Sequence, residues 1–137
     1  MQRLYFSRRF QDRLVASLRI SLGLIFLWFG GLKVFGYNPV YEIVAASFPM
    51  FAEGAGNIFL GGIEALIGLG LLVRIFPVVV HLALLVHLTG TFFVFFSAPE
   101  LMFQPRFPIL TLQGEFVFKN ATLAMAGLVT LAFHHRH

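Results

Sequence analysis

The chain contains no cysteine among its 137 residues. This absence excludes disulfide exchange, thiolate nucleophiles, iron–sulfur clusters and cysteine-ligated metals from the functions of the protein. It leaves the redox compartment undetermined, because a chain without thiols is compatible with a reducing or an oxidising one.

Charged residues are also scarce. Only 12% of the residues are Asp, Glu, Lys or Arg, whereas 58% are hydrophobic. An ordinary soluble domain has about 25% charged residues, so this chain lacks the charges that cover a water-exposed surface. We therefore predict an all-α integral membrane protein whose main partner is the lipid bilayer, and we expect no nucleic-acid partner.

What the chain does contain is a set of long apolar runs. A helix needs about 20 residues to cross a hydrocarbon core of about 30 Å, and four runs meet or approach this length: residues 14–35, 57–73, 76–96 and 116–133. The first run is too long for a cleaved signal, so we interpret it as a permanent helix. No repeat or low-complexity linker divides the chain, and we predict one membrane domain over residues 1–137 with the architecture of a four-helix bundle.

The basic residues of the connections predict the orientation, because cytoplasmic loops carry an excess of Lys and Arg. Arginines precede the first run, Arg74 lies between the second and third runs, and Arg136 lies in the tail. The connections 36–56 and 97–114 contain three glutamates and one arginine. We therefore expect both termini on the cytoplasmic side of the inner (plasma) membrane.

Residues 39–51 form an unusual connection. The segment is too apolar for a free loop, too short for a span, and bounded by prolines. We predict a short amphipathic helix that lies in the outer interface or folds over the mouth of the bundle.

An acid, Glu64, interrupts the second apolar run. A charge at the centre of a span costs about 2.5 to 3.5 kcal/mol on insertion scales, so such a residue needs a partner, a proton or a pathway. Counting about 1.5 Å of rise per helical residue places six polar residues in the outer half of the predicted bundle. These candidate ligand-binding residues are Lys33, Glu64, His87, Glu115, Lys119 and Asn120.

We keep two interpretations of this set open. The residues form buried ion pairs that hold the helices together, or they line an inward-facing pocket for a quinone head group, a small anion or a lipid head group. Three members also have simpler explanations. Lys33 can extend to the outer head groups, and Glu115 with Lys119 can form a same-face pair without a ligand.

Histidines on the third run do not predict a metal site. His81 and His87 are six residues apart and point about 120° away from each other, and the other runs contain no histidine. We therefore expect neither haem nor an intrinsic metal. His87 lies near the depth of Glu64 and either pairs with it or binds a helix carbonyl. The tail histidines are a weak metal-binding candidate: His134, His135 and His137.

Small residues on the first run indicate close helix packing. Gly23 and Gly30 are seven residues apart, so they give this helix a smooth face on which the second run can pack. No phosphate loop is predicted from the glycines, because no strand precedes them.

Several stretches resemble the DoxX-like membrane families. Within the first run, the stretch from Arg19 to Gly-Gly-Leu-Lys33 resembles the opening helix of these families. The stretches Ser47-Phe-Pro, Gly62-Ile-Glu64 and 114–120 are similar to the YkgB-type branch of that group. This branch has an Arg where the present chain has Glu115 and an Asp where it has Asn120. The resemblance extends over nearly the whole chain.

The resemblance implies a four-helix inner-membrane protein linked to redox physiology. DoxX-like proteins take their name from a small subunit of a thiosulfate:quinone oxidoreductase, and the YkgB branch is implicated in resistance to reactive chlorine species. We find no self-contained catalytic motif and assign no catalytic residue. We therefore expect an accessory component that binds a quinone or a small ligand, and acts in catalysis only as a subunit of a larger complex.

The alternative function is non-catalytic. In this case the protein is a lipid-binding or assembly module, or a transporter-like homo-oligomer, and its buried charges are structural. A conducting form of so small a chain would need several copies around an axis.

Overall fold

The computed structural model describes residues 6–38 and 40–133. Over these residues the chain forms α1 (Arg8–Val34), α2 (Tyr41–Ser47), a 3-10 turn (Pro49–Phe51), α3 (Gly54–Val73), α4 (Pro77–Thr91), α5 (Val94–Ser97), α6 (Pro99–Met102), α7 (Leu112–Phe118) and α8 (Asn120–Ala132). The described residues form no β-strand and only one isolated bridge, between Phe103 and Leu110. The protein is all-α, as the sequence predicts.

Four helical stretches within the described residues are long and apolar enough to cross a membrane. They are Arg8–Val34, Gly54–Val73, Pro77–Ser97, which joins α4 to α5, and Leu112–Ala132, which joins α7 to α8. The second and fourth have 20 and 21 residues and so are longer than predicted. Their first turns contain glycine and polar residues, which an apolar run does not include. The chain is a multi-pass membrane protein.

Helices α1 and α3 are antiparallel and touch through glycines. A Cβ atom at Gly30 would lie 2.5 Å from the carbonyl oxygen of Gly61, and one at Gly61 would lie 2.7 Å from that of Gly30. Gly23 and Gly68 repeat this reciprocal contact further along the pair, at 3.0 and 2.6 Å. The predicted smooth face of the first helix is therefore where α3 packs, with backbone directly against backbone.

Arg19 ties α1 to the C-terminal end of α3. Its guanidinium is buried and donates to the carbonyl oxygens of Leu71 and Leu72, the latter over 3.2 Å. The last carbonyls of a helix lack intrahelical partners, and a cation is favourable there. Arg19 therefore satisfies this end of α3. We call this end of the helices the Arg19 end, and the opposite one the Lys33 end.

A short reversal connects α3 to α4. Arg74 adopts φ 63° and ends α3 by donating its N–H to Gly70 over 2.9 Å. Pro77 then occupies the first turn of α4, where its missing N–H costs no hydrogen bond. The short connection places α4 beside α3 and thereby aligns His87 with Glu64.

Helices α4 and α8 are also antiparallel. His81 contacts Thr130 near the Arg19 end, and Thr91 contacts Asn120 near the Lys33 end. Between these levels lies an apolar core contributed by α1, α3 and α4: Leu22, Phe26, Ile67, Leu71, Leu84 and Leu88.

A second apolar core closes the Lys33 end. Ile43 of α2 packs there with residues of α5, of α6, of the turn between these two helices, and of α7: Val94, Met102, Ala98 and Val117. Together, α2 and the 3-10 turn occupy the segment predicted as a short amphipathic helix. We call these two elements the cover.

Candidate functional site

Glu64 lies on α3 with both carboxylate oxygens engaged. Lys33 Nζ donates to Oε1 over 2.6 Å, and His87 Nε2 donates to Oε2 over 2.8 Å. The lysine and glutamate side chains are only 4% and 6% exposed. Three spans therefore converge on one carboxylate, and we call Lys33, Glu64 and His87 the Glu64 site.

Lys33 reaches Glu64 because α3 has a glycine where the lysine side chain leaves α1. A Cβ atom at Gly61 would lie 2.5 Å from the Cβ of Lys33. One turn earlier on α3, Asn57 Nδ2 donates to the backbone oxygen of Lys33 over 3.1 Å. Lys33 is thus held at backbone and side chain, and it does not extend to the head groups.

His87 is the most accessible member of the Glu64 site. Its side chain is 18% exposed, and its ring meets the edge of Phe26 at a centroid distance of 5.5 Å. Because a carboxylate can only accept, the Nε2 atom carries a hydrogen. The other ring nitrogen, Nδ1, has no hydrogen-bond partner among the described residues. It accepts when the ring is neutral and donates when the ring is charged.

These contacts leave the Glu64 site with a simple charge balance. The ammonium group of Lys33 balances the carboxylate of Glu64, so this pair carries no net charge. Breaking a buried ion pair by removing one partner is strongly unfavourable. The mutual satisfaction of Lys33 and Glu64 therefore leaves Nδ1 of His87 as a polar atom that can contact a ligand without breaking the pair.

A cavity of about 310 Å³ lies against the Glu64 site. All three members line it, and most of the remaining wall is apolar: phenylalanine, leucine, isoleucine and valine side chains from α1, α3, α4, α7, α8 and the cover. This combination of an apolar chamber and a few convergent polar groups is typical of small-molecule sites.

A second polar contact lines the same cavity. Thr91 lies one turn beyond His87 on α4, and its hydroxyl donates to the backbone oxygen of Leu88 over 2.6 Å. It accepts a hydrogen bond from Asn120 Nδ2 over 2.8 Å. The amide oxygen of Asn120 has no partner among residues 6–38 and 40–133. It can therefore accept from a ligand in the cavity.

Two of the six residues predicted for the pocket lie outside it. Glu115 and Lys119 are exposed on α7 and at its junction with α8 and do not line the cavity, which corrects the expectation that they face inward. Val117 and Asn120, three residues apart, form the buried face instead. Glu115 and Lys119 lie on a different side of this helix and reach neither Glu64 nor Lys33.

His81 differs from His87 in its surroundings. Its ring is buried, with Nδ1 donating to Pro77 over 2.6 Å and Nε2 at 2.8 Å from the hydroxyl oxygen of Thr130. In the described part of the chain, no group of three His, Asp or Glu side chains could hold a metal. The tail histidines His134, His135 and His137 lie outside the described residues.

Thr91 is the site residue that the sequence reasoning missed. A signal for it exists, because Thr91 follows His87 by four residues and must share its face of the helix. The partners of Arg19 and His81 were also missed. Backbone carbonyls and threonine hydroxyls give no sequence pattern of their own.

Comparisons of the chain with models of protein families, with curated proteins and with solved structures find no match. The resemblance to DoxX-like proteins therefore remains a prediction from the residues that suggested it.

Proposed function

We propose that the protein is an inner-membrane quinone-binding component that serves membrane redox metabolism or oxidative-stress handling as an accessory to a partner protein. The observation that carries this proposal is the placement of the Glu64 site in the wall of an apolar cavity. A purely structural ion pair needs no chamber beside it. The head group of a quinone is a flat apolar ring with polar oxygens, and it matches a cavity that has apolar walls and a few polar groups.

The chemistry of the Glu64 site suits a quinone or quinol head group. Lys33 retains N–H groups beyond the one given to Glu64 and can donate to a quinone oxygen. Nδ1 of a neutral His87 could accept one of the two protons that the oxidation of a quinol releases, while Nε2–H would keep its hydrogen bond to Glu64. The second proton and both electrons would pass to the partner protein, which supplies the redox centre. Asn120 is available for a second polar group of the ligand.

The size of the cavity agrees with a head group rather than a whole lipid. Pockets for small molecules span roughly 300 to 1,000 Å³, and the cavity of about 310 Å³ lies at the lower end of this range. A single substituted ring fits such a volume, whereas the tail of a lipid-soluble quinone has to lie elsewhere.

The proposal includes a membrane topology. We propose a four-helix bundle with both termini cytoplasmic, in which α2 lies at the outer interface. The arginines that precede the apolar run 14–35, together with Arg74, support this orientation. The exposed Glu42 and the buried Ile43 are neighbours on α2, which supports an amphipathic role for it. The Glu64 site then faces the outer half of the bilayer.

Membership of the DoxX-like families, in the YkgB-type branch, is part of the same proposal. The residues that suggest the resemblance include Arg19, which caps α3, and Lys33 and Glu64, which form the buried pair. The resemblance to these families also motivates the link to oxidative stress.

Quinone binding by the purified protein tests the proposal. Protein in lipid nanodiscs is titrated with decylubiquinone, and organic extracts of the untreated protein are analysed for quinone by mass spectrometry. We expect Glu64→Gln to weaken binding and the same change at the exposed Glu115 to leave it unchanged. Equal binding by both variants would remove Glu64 from the proposed site, and absence of quinone binding in the unaltered protein would reject the function.

A second candidate function rests on the saturation of Glu64. Both of its oxygens already have partners within the protein, as expected if the charges only hold α1, α3 and α4 together. The protein would then be a lipid-binding or assembly module, or an oligomer of the transporter type. Native mass spectrometry from detergent separates the candidates, because it reports the number of copies and any bound small molecule.

A further inference from the structure

The cover and the side walls of the cavity are built differently. Residues of the cover and the turn before it close the Lys33 end, among them Ile43, Ser47 and Phe51. Ile43 is anchored in the second apolar core beside Val94 and Met102, which have no exposed surface. A ligand that arrived from the water at this end would have to dislodge a packed core.

Two aromatic rings meet where α1 and α7 border the cavity. Phe29 and Phe116 both line the cavity, and they are 41% and 38% exposed. Their rings are stacked with centroids 6.4 Å apart. Two half-exposed rings that line the cavity are a weak barrier between it and the lipid around the helices.

The wall between α3 and α4 is held more firmly. Val86 lines the cavity and is exposed there, but the adjacent residue His87 bonds directly to Glu64 on α3. Opening that wall would break a buried charged contact. Opening the other wall displaces only two aromatic rings, whose stacking is a weak contact and whose exposed side chains change rotamer rapidly.

We propose that the ligand enters the cavity sideways from the bilayer, between α1 and α7, with Phe29 and Phe116 as the gate. This inference rests on the proposed quinone-binding function and narrows it to one ligand class. The ligand is a quinone with a long apolar tail, dissolved in the membrane, and its tail remains between the two phenylalanines in lipid while the ring occupies the cavity. A water-soluble anion is not admitted by this route.

The absence of cysteine from the chain makes a direct test possible. The double variant Phe29→Cys with Phe116→Cys is placed in nanodiscs of phosphatidylethanolamine and phosphatidylglycerol and joined by a short bis-maleimide. Binding of radiolabelled decylubiquinone is then followed in time, alongside the same protein before cross-linking. We expect the cross-link to slow association by at least about tenfold, whereas the unjoined protein binds at or above the normal rate.

A matched lock at the cover provides the control. Gln113 of α7 donates to Glu42 of α2 over 3.2 Å, and neither residue lines the cavity. The double variant Glu42→Cys with Gln113→Cys is cross-linked in the same way. This lock joins the cover to α7 and should leave the association rate unchanged. Each single variant treated with the reagent controls for folding and for labelling.

The outcomes distinguish the inference from the function on which it rests. A tail-less benzoquinone should bind more weakly than decylubiquinone. A cross-linked gate that admits decylubiquinone as fast as the free one overturns the lateral route, and so does slowing by the cover lock alone. Absence of binding in the unaltered protein rejects the quinone function together with its route.

Discussion

The two histidines of α4 lie six residues apart in the same helix and have opposite surroundings. His81 has both ring nitrogens engaged by the protein and is 2% exposed. His87 gives one nitrogen to a buried carboxylate and turns toward a cavity. One ring is an interior packing element, whereas the other retains an unused polar atom beside a chamber.

The difference lies in what the neighbouring helices provide. At the level of His81, α8 supplies a threonine hydroxyl and α4 itself a carbonyl, so no polar group is left for a ligand. At the level of His87, α3 supplies a charge and α1 a counter-charge, and space remains next to them. The polar residues of a membrane helix therefore cannot be assigned a role by residue type alone. Their unused atoms and the adjacent space decide it.

The largest effect should come from removing a charge at the Glu64 site. Lys33→Met leaves the buried carboxylate of Glu64 with only a histidine, and the loss of one partner of a buried pair costs about 3 to 5 kcal/mol. We expect this loss in the free energy of unfolding, measured by titration with sodium dodecyl sulfate and circular dichroism.

Lys119→Met is the control for that change, because Lys119 is exposed. It should be close to neutral in stability. Adding Glu64→Gln to Lys33→Met should recover much of the loss, since no uncompensated charge remains. If Lys33→Met alone unfolds like the unaltered protein, the Glu64 site is not held by charge and the contrast with His81 disappears.

The glycine contacts should give the next largest effect. Gly30→Ala inserts a methyl group between α1 and α3 near Lys33, and overpacking of this kind costs about 1 to 3 kcal/mol. Gly31→Ala is a matched control, because a Cβ atom there meets nothing within 4 Å. We expect Gly30→Ala to lower both stability and quinone affinity, as measured by unfolding and by titration.

The same change at Gly23 separates the two ends of the helix pair. Gly23 contacts α3 toward the Arg19 end, so Gly23→Ala should destabilise the protein and leave quinone affinity unchanged. Loss of affinity in both variants to the same degree would mean that the two ends are not independent.

Exchanging each histidine for phenylalanine compares the two regions directly. His87→Phe removes a ring that bonds Glu64 and lines the cavity, and we expect quinone affinity to fall about tenfold, which corresponds to about 1.4 kcal/mol. His81→Phe breaks two buried contacts and should lower stability by about 1 to 3 kcal/mol with unchanged affinity. Isothermal titration measures the affinity and chemical unfolding measures the stability. Weaker quinone binding by His81→Phe, with unchanged binding by His87→Phe, would contradict the two assignments.

The smallest effect should come from the two threonines. Hydrogen bonds between membrane helices contribute about 0.6 kcal/mol on average. Thr91→Val and Thr130→Val should therefore each lower the free energy of unfolding by about this amount. Only Thr91→Val should also change quinone affinity, because Thr91 positions Asn120 at the cavity. Equal affinities in the two variants would exclude Asn120 from the site.

Much of the fold follows from hydropathy and helix geometry. The four apolar stretches are continuous enough to be located from the sequence, and counting the rise along α1, α3 and α4 brings Lys33, Glu64 and His87 to one level. Gly23 and Gly30 point to the α1–α3 contact because only a residue without a side chain permits two backbones to touch. These inferences use spacing along one helix, which the sequence contains.

The orientation of α7 about its axis does not follow in the same way. A helix face that is exposed to water is polar, whereas a face that is exposed to lipid is as apolar as the buried one. The periodicity of the hydrophobic residues therefore hardly indicates which face of a membrane helix is buried. Glu115 and Lys119 were expected inside because they are charged, yet the buried face passes through Val117 and Asn120. Charges near a helix end can reach the head groups, and their depth therefore says little about the direction in which they face.

Gly61 constrains the order in which the residues of the Glu64 site could have been acquired. The Cβ of Lys33 occupies the space that any side chain at position 61 would need, so a lysine at position 33 is tolerated only opposite glycine. If single substitutions are made one after another and every intermediate must fold, the glycine has to be present before the lysine. A reconstruction of ancestral sequences should therefore find no lysine at position 33 without glycine at position 61. Glycine at position 61 is therefore a precondition of the charged site.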